Sequence, residues 1–507
     1  MEQISIWIEK RAIMSPNRLA LLDQRRQLTY LEMNNEINRW AYYLGKMENI
    51  QQGDRIGLYF NNRIDYIVVL FAIAKIGAIA VPLNIRLTSE ELLYQITDSE
   101  MSMLIYEHEF HSTVQTLKNK HPQLTTQLIE SITLPQLQET YTSHDFPIIH
   151  ASTPYIICYT SGTTGRPKGA VLTQENMFWN AVNNCTSIDI TSMDRTIVLL
   201  PFFHIGGIGL FAFPTLFAGG LVAILGKFDS GEALKMIQRE RISVIMGVPT
   251  IFDAIRKHDE FLTTNLSSVR IFCSGGAPCP KELIEFYLNQ GLPFYQGYGL
   301  TETSPTIFML AKEDYKKKIG SVGKPVLYTD INILDENDCP VATGEIGELV
   351  VKGPNVIKEY WQLPAETEKA IKDGWFHTGD YVKADQDGFI YMIGRKKEMI
   401  ISGGENVYPL EIEQVLKEEP AIDEVSVIGV LDEKWGEVPF AFLVVKENHS
   451  ITEEQLKQAC LSKLAKYKIP KSFAILSELP KNAAGKVDKK QLKALLTKES
   501  TLKGELQ

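Results

Sequence analysis

Cysteine is scarce in this chain of 507 residues: there are six (Cys158, Cys185, Cys273, Cys279, Cys339 and Cys460), and no two stand as CxxC or at a metal-ligand spacing. That excludes a disulfide scaffold or a zinc ribbon, and it reads as buried thiols in a reducing compartment, hence a cytoplasmic protein. An excess of positive charge is missing too. Against 62 Asp and Glu stand 52 Lys and Arg, a formal −10, which argues against a general nucleic-acid binder. No uncharged export segment opens the chain. Met1 to Leu22 spaces Ile4, Trp7, Ile8 and Ile13 as on an amphipathic surface helix, with Glu9, Lys10 and Arg11 inside it. The one long run without charge, Thr196 to Gly226, has five glycines and Pro214 between Ile205 and Leu225. It is expected as a buried strand–loop–helix unit, not a membrane span. No internal repeat is evident.

What is present is apolar material for a large core: 44% hydrophobic and 22% charged residues, at a length that expects more than one domain. Short β-branched runs alternate with amphipathic stretches. Arg55 to Phe60, Ile156 to Tyr159, Ile197 to Leu200, Val244 to Met246 and Val269 to Cys273 read as strands. Tyr66 to Ile76 and Pro280 to Leu288, the latter closed by Gly291, read as helices. Such alternation implies crossover units and mostly parallel sheets, with ligand loops at strand ends. The fold class expected is therefore α/β, with a large N-terminal domain of two doubly wound subdomains. A small β subdomain at Ile331 to Ile393 and a small α+β C-terminal domain follow. The boundary is placed at the basic run Gly394 to Glu398, giving domains 1–396 and 397–507. The C-terminal domain is lopsided in charge: residues 397–454 hold 4 Lys and 14 acidic residues, residues 455–507 hold 12 Lys and 4 acidic residues. The second block is either a solvated lysine-rich face or a surface for a polyanion.

The most informative segment is Tyr159 to Gly169, which follows a strand and gathers hydroxyls, glycines and a lysine (Thr160, Ser161, Gly162, Thr163, Thr164, Gly165, Lys168). Glycines let backbone N–H groups converge on an anion, hydroxyls add donors, and Lys168 adds a point charge. The spacing is not that of Walker A. Thr160 to Lys168 resembles the signature loop of the adenylate-forming superfamily, which includes acyl-CoA synthetases, firefly-type luciferases and peptide-synthetase adenylation domains. The resemblance continues in order through Pro201 to His204, Ser274 to Ala277, Gln296 to Glu302, Gly320 to Pro325, Gly374 to Asp380, Gly394-Arg395, Ser402 to Pro409 and Pro480 to Lys486. It implies ATP-dependent activation of a carboxylic acid as an acyl-adenylate, then transfer to the thiol of CoA, with Mg2+ as cofactor.

Each motif suits a part of that chemistry. The loop suits the β- and γ-phosphates. Glu302 can hold Mg2+, which takes one or two carboxylates plus phosphate oxygens, and Thr301 offers a hydroxyl to the α-phosphate. Asp380 suits two ribose hydroxyls and Arg395 the same sugar or phosphate. Gly275, Gly276 and Ala277 permit close approach to adenine, with Tyr298 as a ring to stack upon. Read singly, Asp380 and Glu302 could equally be caps or turn residues. The resemblance further implies a hinge at Lys397 and a catalytic Lys486, which serves adenylation in one domain orientation and is withdrawn in the other. It implies CoA contacts at Ser402, Gly403, Gly404, Trp435, Lys466 and Lys468. The acid pocket is expected from Phe203, His204, Gly206, Gly247, Val248, Pro249, Phe252, Gly299, Thr303 and Ser304. His204 is either a gate to that pocket or a satisfied buried histidine. It stands where adenylation domains for amino acids place an Asp, which disfavours an amino-acid substrate. The leading expectation is a medium- or long-chain fatty acid, with an aryl acid such as succinylbenzoate as the alternative. Oligomeric state and peripheral membrane contact stay open.

Overall fold

The computed structural model describes residues 4–136, 146–160, 166–403, 405–432, 434–461, 463–482 and 485–504. They group into two compact units, Met1–Ile331 with Val351–Phe376, and Asn332–Val350 with His377–Gln507. Residues 332–350 and 377–396, expected with the N-terminal domain, thus fall with the C-terminal unit.

The first unit holds two sheets. One has six strands in the order Thr125–Leu128, Met103–Tyr106, Arg55–Tyr59, Ile79–Pro82, Pro154–Thr160 and Lys168–Thr173. Its pairs are parallel until the last two strands, which form an antiparallel hairpin. The helix Ile64–Ile76 is apolar on all sides and buried, as a crossover between parallel strands requires, and Gly77 closes it at φ +74°. The other sheet has nine strands. Its centre is Arg195–Val198, Val244–Gly247, Ile271–Ser274 and Phe294–Tyr298, all parallel, with Phe308–Met309 turning back antiparallel. Helices around it follow local rules. Asp229 caps Ser230–Arg239 by accepting from Glu232 N at 2.9 Å, and that helix buries Ala233, Leu234, Met236 and Ile237 against the sheet.

The uncharged run 196–226 folds as strand Arg195–Val198, helices Ile205–Gly209 and Ala212–Ala218, and strand Leu221–Ile224. Among the described residues no helix is long and apolar enough to cross a membrane. The N-terminal helix is shorter than expected, Ile4–Met14, after which Leu19–Leu22 is a strand. Ile4, Trp7 and Ile8 are buried but Ile13 is 71% exposed, because the helix ends one residue later and Pro16 turns the chain.

Chiefly in the second unit, Ile346–Lys352 runs beside Asp330–Leu334 and Trp375–Ala384, and Ile390–Arg395 extends that sheet. A further sheet orders Glu405–Val407, Ile400–Ser402, Gly436–Val445 and Ile422–Asp432, with Ser472–Ile475 parallel on Gly436–Val445. Helices Pro409–Lys417 and Glu453–Leu461 cover it, burying Ile412, Leu416, Leu456 and Cys460. The opposite charges of the two C-terminal blocks meet. Lys463 pairs with Glu418, Lys468 with Glu411, Lys471 with Asp432, Lys481 with Glu424, and Lys489 with Glu398 and Glu413. Much of the lysine-rich block is therefore spent on its own domain.

The thiols are free. Burial pushes Cys158, Cys185, Cys273 and Cys279 up to about 12, so none is a nucleophile at neutral pH. Cys339 departs from the expectation of buried thiols: it is exposed in the turn that Asp335 builds.

Candidate active site

In the first unit the site grows from the hairpin Pro154–Thr160 and Lys168–Thr173, whose register sets Thr160 opposite Lys168. Ser161, Gly162, Thr163, Thr164 and Gly165 lie outside the described residues. At the hairpin mouth, Thr160 Oγ1 is 3.4 Å from Glu302 Oε1. Glu302 sits in the 3₁₀ turn Thr301–Thr303, whose Leu300 N donates to Thr303 Oγ1 at 3.0 Å. The Tyr360 hydroxyl donates to Glu302 Oε1 at 2.9 Å, and Ile357 N donates to Glu302 O at 2.9 Å. Burial, then the Glu302 charge, push the Tyr360 phenol up, so it remains a donor. Lys168 forms an ion pair with Glu366 and lies 5.4 Å from the centroid of the Tyr360 ring. Tyr360 and Glu366 were not singled out from the sequence. Their only signal is a Tyr and a Glu either side of Pro364.

The structure also brings together the residues expected around adenine. Gly275 and Gly276 continue the strand Ile271–Ser274 beside Gly297 and Tyr298, and Ala277 is exposed next to them. A Cβ on Gly275 would stand 2.9 Å from Met246 Cε and 3.2 Å from Gly297 O, and Gly276 has φ +77°. The Tyr298 ring is 5.8 Å from that of Phe308.

Of the acid-pocket residues, Phe203 and His204 place their rings 4.8 Å apart, and Arg86 lies 5.9 Å from the Phe203 centroid. His204 heads the helix Ile205–Gly209 and is half-buried. That helix abuts the 301–305 segment, since a Cβ on Gly209 would lie 2.9 Å from Ser304 O. Thr303 and Ser304 are buried, Thr303 Oγ1 lying 3.0 Å from Leu300 O and from Pro305 O. Gly299 admits no side chain: a Cβ there would be 1.6 Å from Pro305 O. Val248 is half-buried at the head of helix Pro249–Lys257 and within van der Waals reach of Gly276, with Gly247 just before it. Pro249 is buried as the first residue of that helix. Phe252 is fully buried, its ring near those of Phe272, Tyr287 and Phe294, and a Cβ on Gly247 would stand 3.2 Å from Phe252 Cε2.

Four asparagines that the sequence did not mark brace this segment. Asn180 Nδ2 donates to Gly209 O at 2.6 Å, and Asn184 Nδ2 donates to Thr306 Oγ1 at 2.9 Å. Asn355 Nδ2 reaches Thr303 O and Thr306 O, both at 2.9 Å, while Asn176 Nδ2 holds Pro354 O and Val356 O. All four are buried, and each amide nitrogen finds an acceptor, whereas the Asn184 side-chain carbonyl oxygen is buried without a partner among the described residues. Three of them share the helix Gln174–Ser187, whose unusual asparagine content was the available signal.

In the second unit, Asp380 and Arg395 are cross-strand partners, and Arg395 Nε is 2.6 Å from Asp380 Oδ1. Lys397 lies in the 3₁₀ turn Lys396–Glu398 and is exposed. Lys486 ends a tight turn in which Gly485 has φ +78° and Lys486 N donates to Asn482 Oδ1 at 3.1 Å. Desolvation of its ammonium, then the charge of Arg395, hold Lys486 below the ordinary lysine range. Ser402 is buried and pairs with Gly436. Gly403 N donates to Trp435 O at 2.8 Å, and a Cβ on Gly403 would meet the Trp435 ring at 2.7 Å. Gly404 lies outside the described residues. Trp435 is 42% exposed with Lys434 over its face, Lys466 is exposed, and Lys468 is tied to Glu411.

Among the described residues no cluster of three or more His, Cys, Asp or Glu side chains could hold a metal ion by itself. Glu302 offers one carboxylate with a hydroxyl nearby. That donor set fits Mg2+ as an ion that keeps waters and phosphate oxygens, not as an all-protein cage.

Residues 8–361 match the family model described as AMP-binding enzyme, and residues 411–486 match that of the AMP-binding enzyme C-terminal domain. The chain is 38% identical to a feruloyl-CoA synthase of an Amycolatopsis species, over 96% of this chain and 98% of that one. It superposes on o-succinylbenzoate coenzyme A synthetase from Bacillus subtilis, solved in complex with ATP and magnesium ion, with TM-score 0.86 and 32% identity over 96% and 99% of the two chains. With a Mycobacterium tuberculosis fatty acyl CoA synthetase the TM-score is 0.78, at 32% identity over 98% of each chain.

Proposed function

Since the chain belongs to the AMP-binding enzyme family and is an ATP-dependent acid–thiol ligase that forms CoA thioesters, we propose that its acid is aromatic. The observation that carries this is the whole-length likeness to a feruloyl-CoA synthase. The paired rings of Phe203 and His204 support it, because a flat acid gains from stacking as well as from burial. A fatty acid is the second reading, favoured by the solved fatty acyl CoA synthetase.

In this reading, activation joins the acid carboxylate to the α-phosphate of ATP and expels pyrophosphate. Thr160 and Lys168 bind the phosphates, and Thr301 offers its hydroxyl to the α-phosphate. Glu302 holds Mg2+, which when bound neutralises charge on the phosphate oxygens. Tyr360 keeps the Glu302 carboxylate aimed. Gly275, Gly276, Ala277 and Tyr298 receive the adenine, and Asp380 and Arg395 the ribose. Lys486 supplies the cation that offsets charge building on the carboxylate and phosphate oxygens in this half-reaction. Thioester formation then uses the Ser402–Gly403–Trp435 face for the pantetheine, with Lys466 and Lys468 as contacts for CoA phosphates and Lys397 as the hinge residue.

The test is CoA-dependent pyrophosphate release across ferulate, benzoate, succinylbenzoate, octanoate, palmitate and acetate. The aromatic reading expects the highest kcat/KM with one of the first three. An octanoate or palmitate optimum would replace it with the second reading.

A further inference from the structure

The ammonium of Lys168 is already engaged. It forms an ion pair with Glu366, on the first turn of helix Pro364–Ala370, and faces the Tyr360 ring. The side chains of Lys168 and Glu366 are 13% and 27% exposed, so the pair is partly shielded from water. The hydrogen bond from Lys168, and then its charge, hold the Glu366 carboxyl below the usual carboxylate range.

The segment that carries Glu366 is fastened to the same hairpin. Trp361 N donates to Gly169 O at 2.7 Å, and Val171 N donates to Glu359 O at 3.2 Å. Tyr360 N donates to Thr367 Oγ1 at 2.9 Å, which locks the turn into the helix. Two main-chain bonds just ahead of Glu366, and the Thr367 hydroxyl just after it, thus hold the turn that places Glu366 at Lys168.

A lysine that binds phosphate in a half-closed site has two costs to balance. Without a ligand, its charge lacks a partner; with pyrophosphate bound, its attraction delays release of that product. A carboxylate beside it relieves the first. It lessens the second as well, since it competes for the ammonium and repels the polyanion.

We propose that Glu366 is the internal competitor of the nucleotide's phosphates for Lys168, and that it thereby sets how tightly the enzyme holds pyrophosphate. Glu366 is a positioning and affinity-setting residue; it touches Lys168, not the reacting atoms. The proposal rests on the assignment of Lys168 to the phosphates made above.

The experiment measures binding of inorganic pyrophosphate to the full chain by calorimetry, and its inhibition constant as a product. It compares wild type, Glu366→Gln, Glu366→Ala and Lys168→Ala. Removing the competitor should tighten pyrophosphate about two- to fivefold, the range of a partly exposed ion pair. Both Glu366 variants should shift in that direction, and Lys168→Ala should shift in the other. A purely structural glutamate would leave affinity unchanged or weaken it, so either result at Glu366, with Lys168→Ala weakened, overturns the proposal. If Lys168→Ala binds pyrophosphate as wild type does, the assignment of Lys168 itself falls, and the proposal with it.

Discussion

Tyr360 donates its hydroxyl to Glu302 Oε1 across 2.9 Å, although 58 positions separate the two in sequence. The bond fixes one carboxylate oxygen and leaves the other for a cation. In Tyr360→Phe, adenylation should fall about tenfold, the scale of a hydrogen bond to a charged group. The Mg2+ concentration for half-maximal rate should rise with it. Titrating pyrophosphate release with Mg2+ checks both, and an unchanged Mg2+ dependence would remove Tyr360 from this role.

Glu302→Gln should abolish adenylate formation while the protein stays folded, since the amide keeps the shape but loses the anionic ligand. Adenylation at the wild-type rate would dissociate Glu302 from the metal.

Lys486 and Lys397 should fail in opposite half-reactions. Lys486→Ala should lose adenylate formation by about 10²–10³ yet still convert supplied acyl-adenylate and CoA to thioester. Lys397→Pro should keep adenylation and lose thioester formation, because proline fixes φ at the hinge. Both positions are exposed, so neither change should unfold the protein. Parallel loss of both half-reactions in both variants would contradict two separate roles.

The adenylation step should also have a basic limb set by Lys486. Burial and Arg395 disfavour its charged form, so the ammonium loses its proton at lower pH than an ordinary lysine, and the rate should drop as pH rises through that point. Lys486→Arg, if active, should move the limb upward, since a guanidinium stays charged. Thioester formation from supplied adenylate should not share the limb. Separate pH profiles of the two half-reactions decide it.

Gly299→Ala should cost stability by about 2–4 kcal/mol, or displace the 301–305 segment and with it Glu302, because its Cβ has no space beside Pro305 O. Urea unfolding together with the adenylation assay measures the two effects. An alanine variant of wild-type stability and rate would mean the segment shifts freely.

Much of this arrangement was legible from short-range pattern. The strands near 55, 156, 197, 244 and 271 follow their β-branched runs, and the site strings Thr160–Lys168 and Tyr298–Glu302 sit at strand ends as crossover topology demands. What escaped depends on long-range pairing. Asn180, Asn184 and Asn355 look like ordinary polar residues until the fold buries them against the Thr303–Thr306 segment. Glu366 reads as a helix-starting acid until Lys168 stands beside it. The burial of Phe252 was readable, since its spacing from Ile255 marks an apolar helix stripe. The division at 331/332, 350/351 and 376/377 rests on long-range contacts that composition does not encode.

The first compact unit is written in two instalments, with Asn332–Val350 of the second unit between them. During synthesis, Glu302 and Lys168 therefore leave the ribosome well before Tyr360 and Glu366. For that interval the nascent site holds a carboxylate and an ammonium without the groups that later engage them, and only the second instalment completes it. No single cut in the chain separates the two units intact, so limited proteolysis or the exchange of one unit between homologues requires three junctions, on both sides of 332–350 and again after 376.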